Sequence, residues 1–220
     1  MMKELLEKHF GKYYQSTKQV VADCSVKDGE FSFNDIKACN SCKTYSPEVE
    51  KGCEKVVFTC NSGKNKVETI QLEKFIDNYA NLKMIPSGKK CDLLLVGERK
   101  IVFCEMTCSR PKYIVPYRMK DGTEKIGKRN TVRGQIENSI TLLQSVPEIS
   151  AEISVKAEKI ALFAYREKPE VKKDDFDSQL TSKMKSFDAV GKAFEKEQMF
   201  SDMSNGFMFT EVKYPNVYLW

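Results

Sequence analysis

Two carboxylates in one short apolar hairpin are the residues of this 220-residue chain best suited to chemistry. Residues 91 to 107, CDLLLVGERKIVFCEMT, read as two strands joined by a tight polar turn. Asp92 opens the first strand and Glu105 lies near the end of the second. A charge inside an otherwise buried strand is costly unless something binds it. Two carboxylates aimed at one place make a cradle for a hard cation such as Mg²⁺. Alternation along the second strand puts Glu105, Thr107 and Ser109 on one face, and Cys104, Met106 and Cys108 on the other.

A second set of ligand-type residues lies upstream. Cys39, Cys42, Cys53 and Cys60 form C-x2-C-x10-C-x6-C. The first pair straddles a knuckle-like Asn40-Ser41 turn that lets two thiolates face one ion, and a later pair can complete the four tetrahedral corners that zinc needs. The six-residue spacing of the second pair is wider than is usual. Cys24 is an alternative ligand, and unligated thiols acting as small hydrophobes are the other reading. Cys91, Cys104 and Cys108 belong to the hairpin, where packing is their expected role. The single histidine, His9, falls on a helix and is given no catalytic part.

Basic residues concentrate beside the acid pair. Between Arg110 and Arg133 there are eight Lys or Arg against Asp121 and Glu124, although the whole chain carries only +5. Arg110, Lys112, Arg118, Lys120, Lys125 and Arg133 are candidate phosphate contacts, and Tyr113 and Tyr117 are candidates for stacking on unpaired bases. Nothing in the segment reads base edges, so no sequence specificity is expected.

The bulk numbers set the frame. With 41% hydrophobic and 30% charged residues the composition is that of a globular protein. No apolar run approaches the roughly 20 residues needed to span a bilayer, and the first residues, MMKELLEKHFGKYY, lack a secretory pattern. An intracellular, cytoplasmic setting with no membrane partner is expected, where eight cysteines would be reduced or metal-bound.

These side chains need elements to hold them. Periodicity predicts a helix from Lys3 to about Tyr14, then an irregular β-rich stretch with runs at Gln19–Val21, Phe31–Phe33 and Val56–Cys60. A helix is predicted over Lys66–Leu82, followed by the hairpin turning at Gly97–Lys100. A further strand over Tyr113–Met119 would lie at a sheet edge because of Pro116. Val132–Val146 reads as a helix and Lys159–Tyr165 as a strand buried on both faces. One more helix is expected through Leu180, Met184, Phe187 and Phe194, with β character from Phe207 to Trp220. The NSGKN stretch suggests a boundary between a cysteine-rich N-terminal extension, residues 1–65, and an α/β core with a mixed central sheet flanked by helices, residues 66–220.

From Lys66 to Tyr165 the expected order is helix, strand, strand, strand, helix, strand. With an acid opening one core strand and Glu-x-Thr ending the next, this resembles the PD-(D/E)XK nuclease superfamily over about 100 residues. The resemblance implies a restriction-endonuclease-like core and Mg²⁺- or Mn²⁺-dependent cleavage of phosphodiester bonds in DNA, or alternatively RNA. Asp92 and Glu105 would hold the metal, with the Met106 carbonyl and Glu73, or Glu68 in its place, adding to the shell. Gln135 matches a glutamine found near the start of the same helix in several subfamilies. Cys91 replaces the motif's proline, and Thr107 stands where the motif has lysine. A hydroxyl cannot carry the charge that an ammonium brings to the transition state. Lys128 or Arg129, recruited from the next helix, would supply it. The alternative is a catalytically inactive module of the same fold that binds nucleic acid or a protein partner. A homodimer, and a zinc-organised interaction protein, are also open.

Overall fold

The computed structural model describes residues 1–34, 53–60, 66–79, 85, 88–168 and 201–220. One helix, α1, opens the chain as Met2–Leu5, a π turn over Leu6–Phe10, and Gly11–Tyr13. Strands β1 (Cys24–Lys27), β2 (Glu30–Asn34), β3 (Lys55–Thr59) and β4 (Val67–Gln71) follow, then the short helix α2 (Leu72–Asp77). The hairpin is β5 (Leu93–Val96) and β6 (Lys100–Ser109). A 3-10 turn at Pro111–Tyr113 leads to the two-residue strands β7 (Tyr117–Arg118) and β8 (Glu124–Lys125). Helices α3 (Gly127–Gln144) and α4 (Pro147–Ser154) precede β9 (Glu158–Glu167). The remaining described strands are β10 (Ser201–Asp202), β11 (Met208–Lys213) and β12 (Val217–Leu219).

The fold is mixed α/β. Seven strands form one sheet in the order β1-β4-β5-β6-β9-β11-β10. Strands β6, β9 and β11 run parallel, and the other pairings are antiparallel. The β6–β9 ladder runs unbroken from Lys100↔Glu158 to Ser109↔Glu167. A parallel ladder needs a crossover, and α3 and α4 provide it. A second sheet, β12-β3-β2, and the separate β7–β8 ribbon complete the pairing among the described residues.

The central sheet is buried on both sides by different partners. On one face Phe103, Phe163 and Phe209 pack with Phe10, Phe75, Ile136 and Leu143 from the helices. On the other, Val102, Cys104 and Leu162 pack with Phe31, Phe58 and Tyr218 of the small sheet. Each such side chain contributes about 1.5–3 kcal/mol on leaving water. Both sheets draw on both halves of the sequence: β1, within 1–65, edges the central sheet, and β12, within 66–220, pairs with β3. Among the described residues no helix is long and apolar enough to cross a membrane.

Several elements differ from expectation. Val67–Gln71 is a strand, so the helix expected from Lys66 shrinks to Leu72–Asp77. Val67 and Ile70 stand three apart like neighbours on a helix, yet they enter opposite cores. A strand covered on both sides shows no alternation, which is why its period misleads. The expected strand over Tyr113–Met119 is broken by the turn at Pro111–Tyr113 and reduced to Tyr117–Arg118. Gln19–Val21 forms no strand. Helix α3 begins five residues before the expected Val132, because its polar first turn carries no apolar stripe. The helix expected through Leu180–Phe194 lies outside the described residues.

Candidate active site

The acid pair sits where β5 ends and β6 continues. Strand β5 pairs only as far as Leu93↔Cys104, so the edge of β6 beyond Cys104 lacks a strand on that side. Asp92 fills the gap: its Oδ2 accepts the Met106 N–H at 2.6 Å. A residue's carbonyl leaves an extended strand at the same edge as its N–H, so Met106 O faces the Asp92 side. One step further along, Glu54 Oε1 accepts the Cys108 N–H at 3.3 Å. Two carboxylates from different elements thus replace ladder partners along one strand edge.

The main chain around Asp92 is pinned from both sides. Its carbonyl accepts the Leu72 N–H at the start of α2 at 2.8 Å. The Cys91 N–H donates to Ser139 Oγ on α3 at 2.8 Å, and that hydroxyl donates in turn to the Gln135 carbonyl at 3.0 Å. Glu105 points to the helical face, where Gln135 Nε2 donates to its Oε1 at 2.7 Å. The same amide lies 3.4 Å from the Lys90 carbonyl. Gln135 therefore ties the Glu105 strand to the segment that carries Asp92.

The other oxygen of Glu105 has no such support. Glu105 is 8% exposed, and its Oε2 is buried without a hydrogen-bond partner. Burial pushes its carboxyl up to about 9, helped by the Asp92 charge and, further down, by Glu73 and Glu54; the Gln135 bond works the other way. Without a counter-charge this carboxyl is held as the neutral acid near neutral pH. Glu73, half-buried on α2, is also raised, by burial first and then by Asp77. Asp92, Glu73 and Glu54 all raise Glu105, whereas Glu73 is itself drawn down by Lys90 and Lys89.

The donor set here has the chemistry that a hard divalent cation takes. Among the described residues no group of three or more His, Cys, Asp or Glu is arranged as a metal cage. Mg²⁺ does not require one: it is commonly held by one or two carboxylates and completes its octahedron with water and phosphate oxygens. Asp92, Glu105 Oε2 and the Met106 carbonyl suit that pattern.

The remaining candidates fall in different places. Thr107 is buried on β6, paired across the ladder with Tyr165. Lys128 is exposed at the start of α3. Arg129 is bound through Nε and Nη2 to the Glu211 carboxylate on β11, the second contact at 3.0 Å, so its charge is directed there. Arg133 donates to the Asp202 carbonyl at 2.6 Å, contacts Glu137 and lies over the Phe209 ring. Glu68 is removed from the acid pair, accepting the Met2 and Lys3 N–H groups at 2.9 and 3.0 Å. Arg110, Lys112, Arg118, Lys120 and Lys125 are all exposed. Tyr113 and Tyr117, the candidates for stacking on bases, pack on each other with ring centres 4.7 Å apart.

Of the proposed zinc ligands, Cys39 and Cys42 lie outside the described residues. Cys53 and Cys60 are buried, and the Cys60 thiol donates to the Gly29 carbonyl at 3.2 Å. Cys24 instead faces Glu68. Glu54 was missed by sequence reasoning; only its position beside Cys53 and before an apolar run hinted at a strand end, and its partner is 54 residues away. No family model, curated protein or solved structure matches this chain.

Proposed function

We propose that this chain is a metal-dependent nuclease-like protein that cleaves phosphodiester bonds of DNA, or of RNA, in an intracellular setting. The observation that carries the reading is the buried, partnerless Glu105 Oε2 beside Asp92. A buried carboxylate oxygen with no donor, beside a second carboxylate, is what a cation site offers before loading. The order β4, β5, β6, α3, β9 supports kinship with the PD-(D/E)XK core, although the helix that the resemblance takes from Lys66 is the strand β4 followed by the short α2. The acids occupy the start of the second of these strands and the far half of the third.

Mg²⁺ or Mn²⁺, when bound, lowers the pKa of water and neutralises charge that builds on the phosphate. The chain's own residues prepare for this. The Met106 N–H fixes one oxygen of Asp92 and so sets the direction of the carboxylate. Gln135 holds Glu105 Oε1 and leaves Oε2 to the cation. Lys128, exposed at the α3 start, is the cation most available to a phosphate, since Arg129 is committed to Glu211.

A second reading has an observation of its own. Thr107 in the lysine position and the Arg129–Glu211 pair leave no described cation bonded at the acid pair, which favours a non-cleaving module of the same fold that binds nucleic acid or protein. The two readings separate in one assay. Single- and double-stranded DNA are incubated with Mg²⁺ or Mn²⁺ and wild type, Asp92→Ala or Glu105→Ala. The nuclease reading expects cleavage that falls at least about a thousandfold in both variants. Cleavage absent from wild type, or surviving both substitutions, rejects it.

A further inference from the structure

The chain leaves the end of the Glu105 strand and returns at the start of the Gln135 helix, and the excursion between them is a basic β-ribbon. Among the described residues, strands β7 and β8 pair only with each other, Tyr117↔Lys125 and Arg118↔Glu124. From Arg110 to Lys128 there are six basic residues against Asp121 and Glu124. Residues 118–126 are all exposed. Among the described residues no other strand extends this ribbon, and its tip faces solvent.

It is nonetheless braced. Ile114 is buried in the helical core, and its carbonyl accepts the Arg129 N–H at 2.9 Å. Gly127 has φ +78°, and a Cβ there would stand 2.4 Å from the Val115 carbonyl carbon, so the two legs cross at a point only glycine permits. At the tip the Met119 N–H donates to the Thr123 carbonyl at 2.8 Å, and Arg118 Nε donates to the Gly122 carbonyl at 3.1 Å.

We propose that the β7–β8 ribbon enters the major groove of B-form duplex DNA and makes the chain select duplex over single strands. This rests on the nuclease reading only for where the scissile phosphate lies. Two paired strands about 4.8 Å apart, with side chains, match a groove about 12 Å wide. The deep, narrow major groove of A-form RNA excludes them. Arg118, Lys120 and Lys125 reach phosphates from both strands and the tip. Val115, Met119 and Ile126, at 45%, 44% and 63% exposure, are aliphatic and suit thymine methyls, not base stacking. The ribbon's tyrosines cover each other, and Lys112 lies over Tyr113 at 5.1 Å, so they offer unpaired bases little. Eight residues of α3 separate Gly127 from Gln135, about 12 Å along the axis, or three to four base-pair steps.

The test is equilibrium binding in EDTA, by fluorescence anisotropy, to a DNA duplex of about 20 base pairs, its single strand and the matching RNA duplex. Wild type is compared with the R118Q/K120Q/K125Q triple variant and with Gly127→Ala, which alters the ribbon's base without touching charge. Wild type should prefer the DNA duplex. The triple variant should lose at least about tenfold in duplex affinity, with the salt dependence flattening by about 0.9 per lost phosphate contact, and keep its single-strand affinity. Gly127→Ala should lose duplex affinity with all charges present. Equal losses on duplex and single strand, or duplex affinity retained by both variants, overturn the proposal. Ribbon-dependent duplex binding without cleavage by wild type with Mg²⁺ would reject only the nuclease reading. Cleavage that ignores both ribbon variants would reject only the groove assignment.

Discussion

Glu68 and Glu105 are two glutamates with the same burial and opposite circumstances. Each is 8% exposed, and they sit on β4 and β6 with β5 between. Both oxygens of Glu68 are engaged: Oε2 accepts the Met2 N–H and Oε1 the Lys3 N–H, with the Cys24 thiol also directed at Oε1. These donors are unsatisfied N–H groups at the start of α1, where negative charge is favoured. Glu105 has one donor, Gln135, and an orphaned second oxygen, and its charged neighbours are acids. Burial of a carboxylate therefore does not mark function. What marks it is burial that the protein itself leaves uncompensated, because removing compensation costs stability and persists only where something else supplies it.

The comparison predicts opposite responses to removing each charge. Glu68→Ala strips two buried or half-buried N–H groups of their acceptor and frees the end of α1 from β4. The expected loss is about 2–4 kcal/mol in urea unfolding, with cleavage per folded molecule unchanged. If instead the folded variant loses cleavage, Glu68 belongs to the site and the contrast collapses.

For Glu105 the expected sign reverses. Its folded-state value of about 9 lies above its ordinary 4.5. Between those limits the folded protein keeps a proton that the unfolded chain has released. Metal-free stability should therefore fall as pH rises through that window, by at most about 1.4 kcal/mol per pH unit. Below 4.5 the effect vanishes. Glu105→Gln removes the slope and should stabilise the metal-free protein at pH 8 by a few kcal/mol, about 5 at most. Millimolar Mg²⁺ should flatten the wild-type slope and leave the variant's unchanged. A wild-type curve that is flat without metal would show that Glu105 is compensated after all.

The hairpin that carries both acids was legible in the sequence because its turn residues and apolar runs agree: Gly97 N–H donates to the Lys100 carbonyl, where the turn was expected. Strand β9 was equally legible, as a run buried on both faces. Strand β4 was not, since Glu68 and Thr69 are buried beside Val67 and Ile70 and leave no alternation to read. Asp92 and Glu105 could be picked out by type and place in the hairpin, and Gln135 only through the family resemblance. That Glu54 joins the same strand edge, or that Arg129 is committed to Glu211 across 82 residues, depends on contacts no local pattern encodes. Charge alone likewise flagged the basic segment, yet whether its tyrosines face solvent or each other is a matter of packing.

Gln135 sharpens the contrast at the smallest scale, because it is the single donor that makes Glu105 partly resemble Glu68. Replacing it with leucine removes the bond to Oε1 and the tie to the Lys90 carbonyl, while α3 keeps an apolar side chain of similar length. If Gln135 only packs, stability changes and the pH profile does not. If it orients a metal ligand, cleavage should fall about tenfold at limiting Mg²⁺ and recover as Mg²⁺ is raised, the usual consequence of losing a partner behind a ligand. Since the Gln135 bond lowers Glu105's value, its loss should also shift the rising limb of the pH–rate profile to higher pH. A uniform tenfold loss at every pH and Mg²⁺ concentration would place Gln135 in the scaffold, and Glu105 would then stand without any residue dedicated to aiming it.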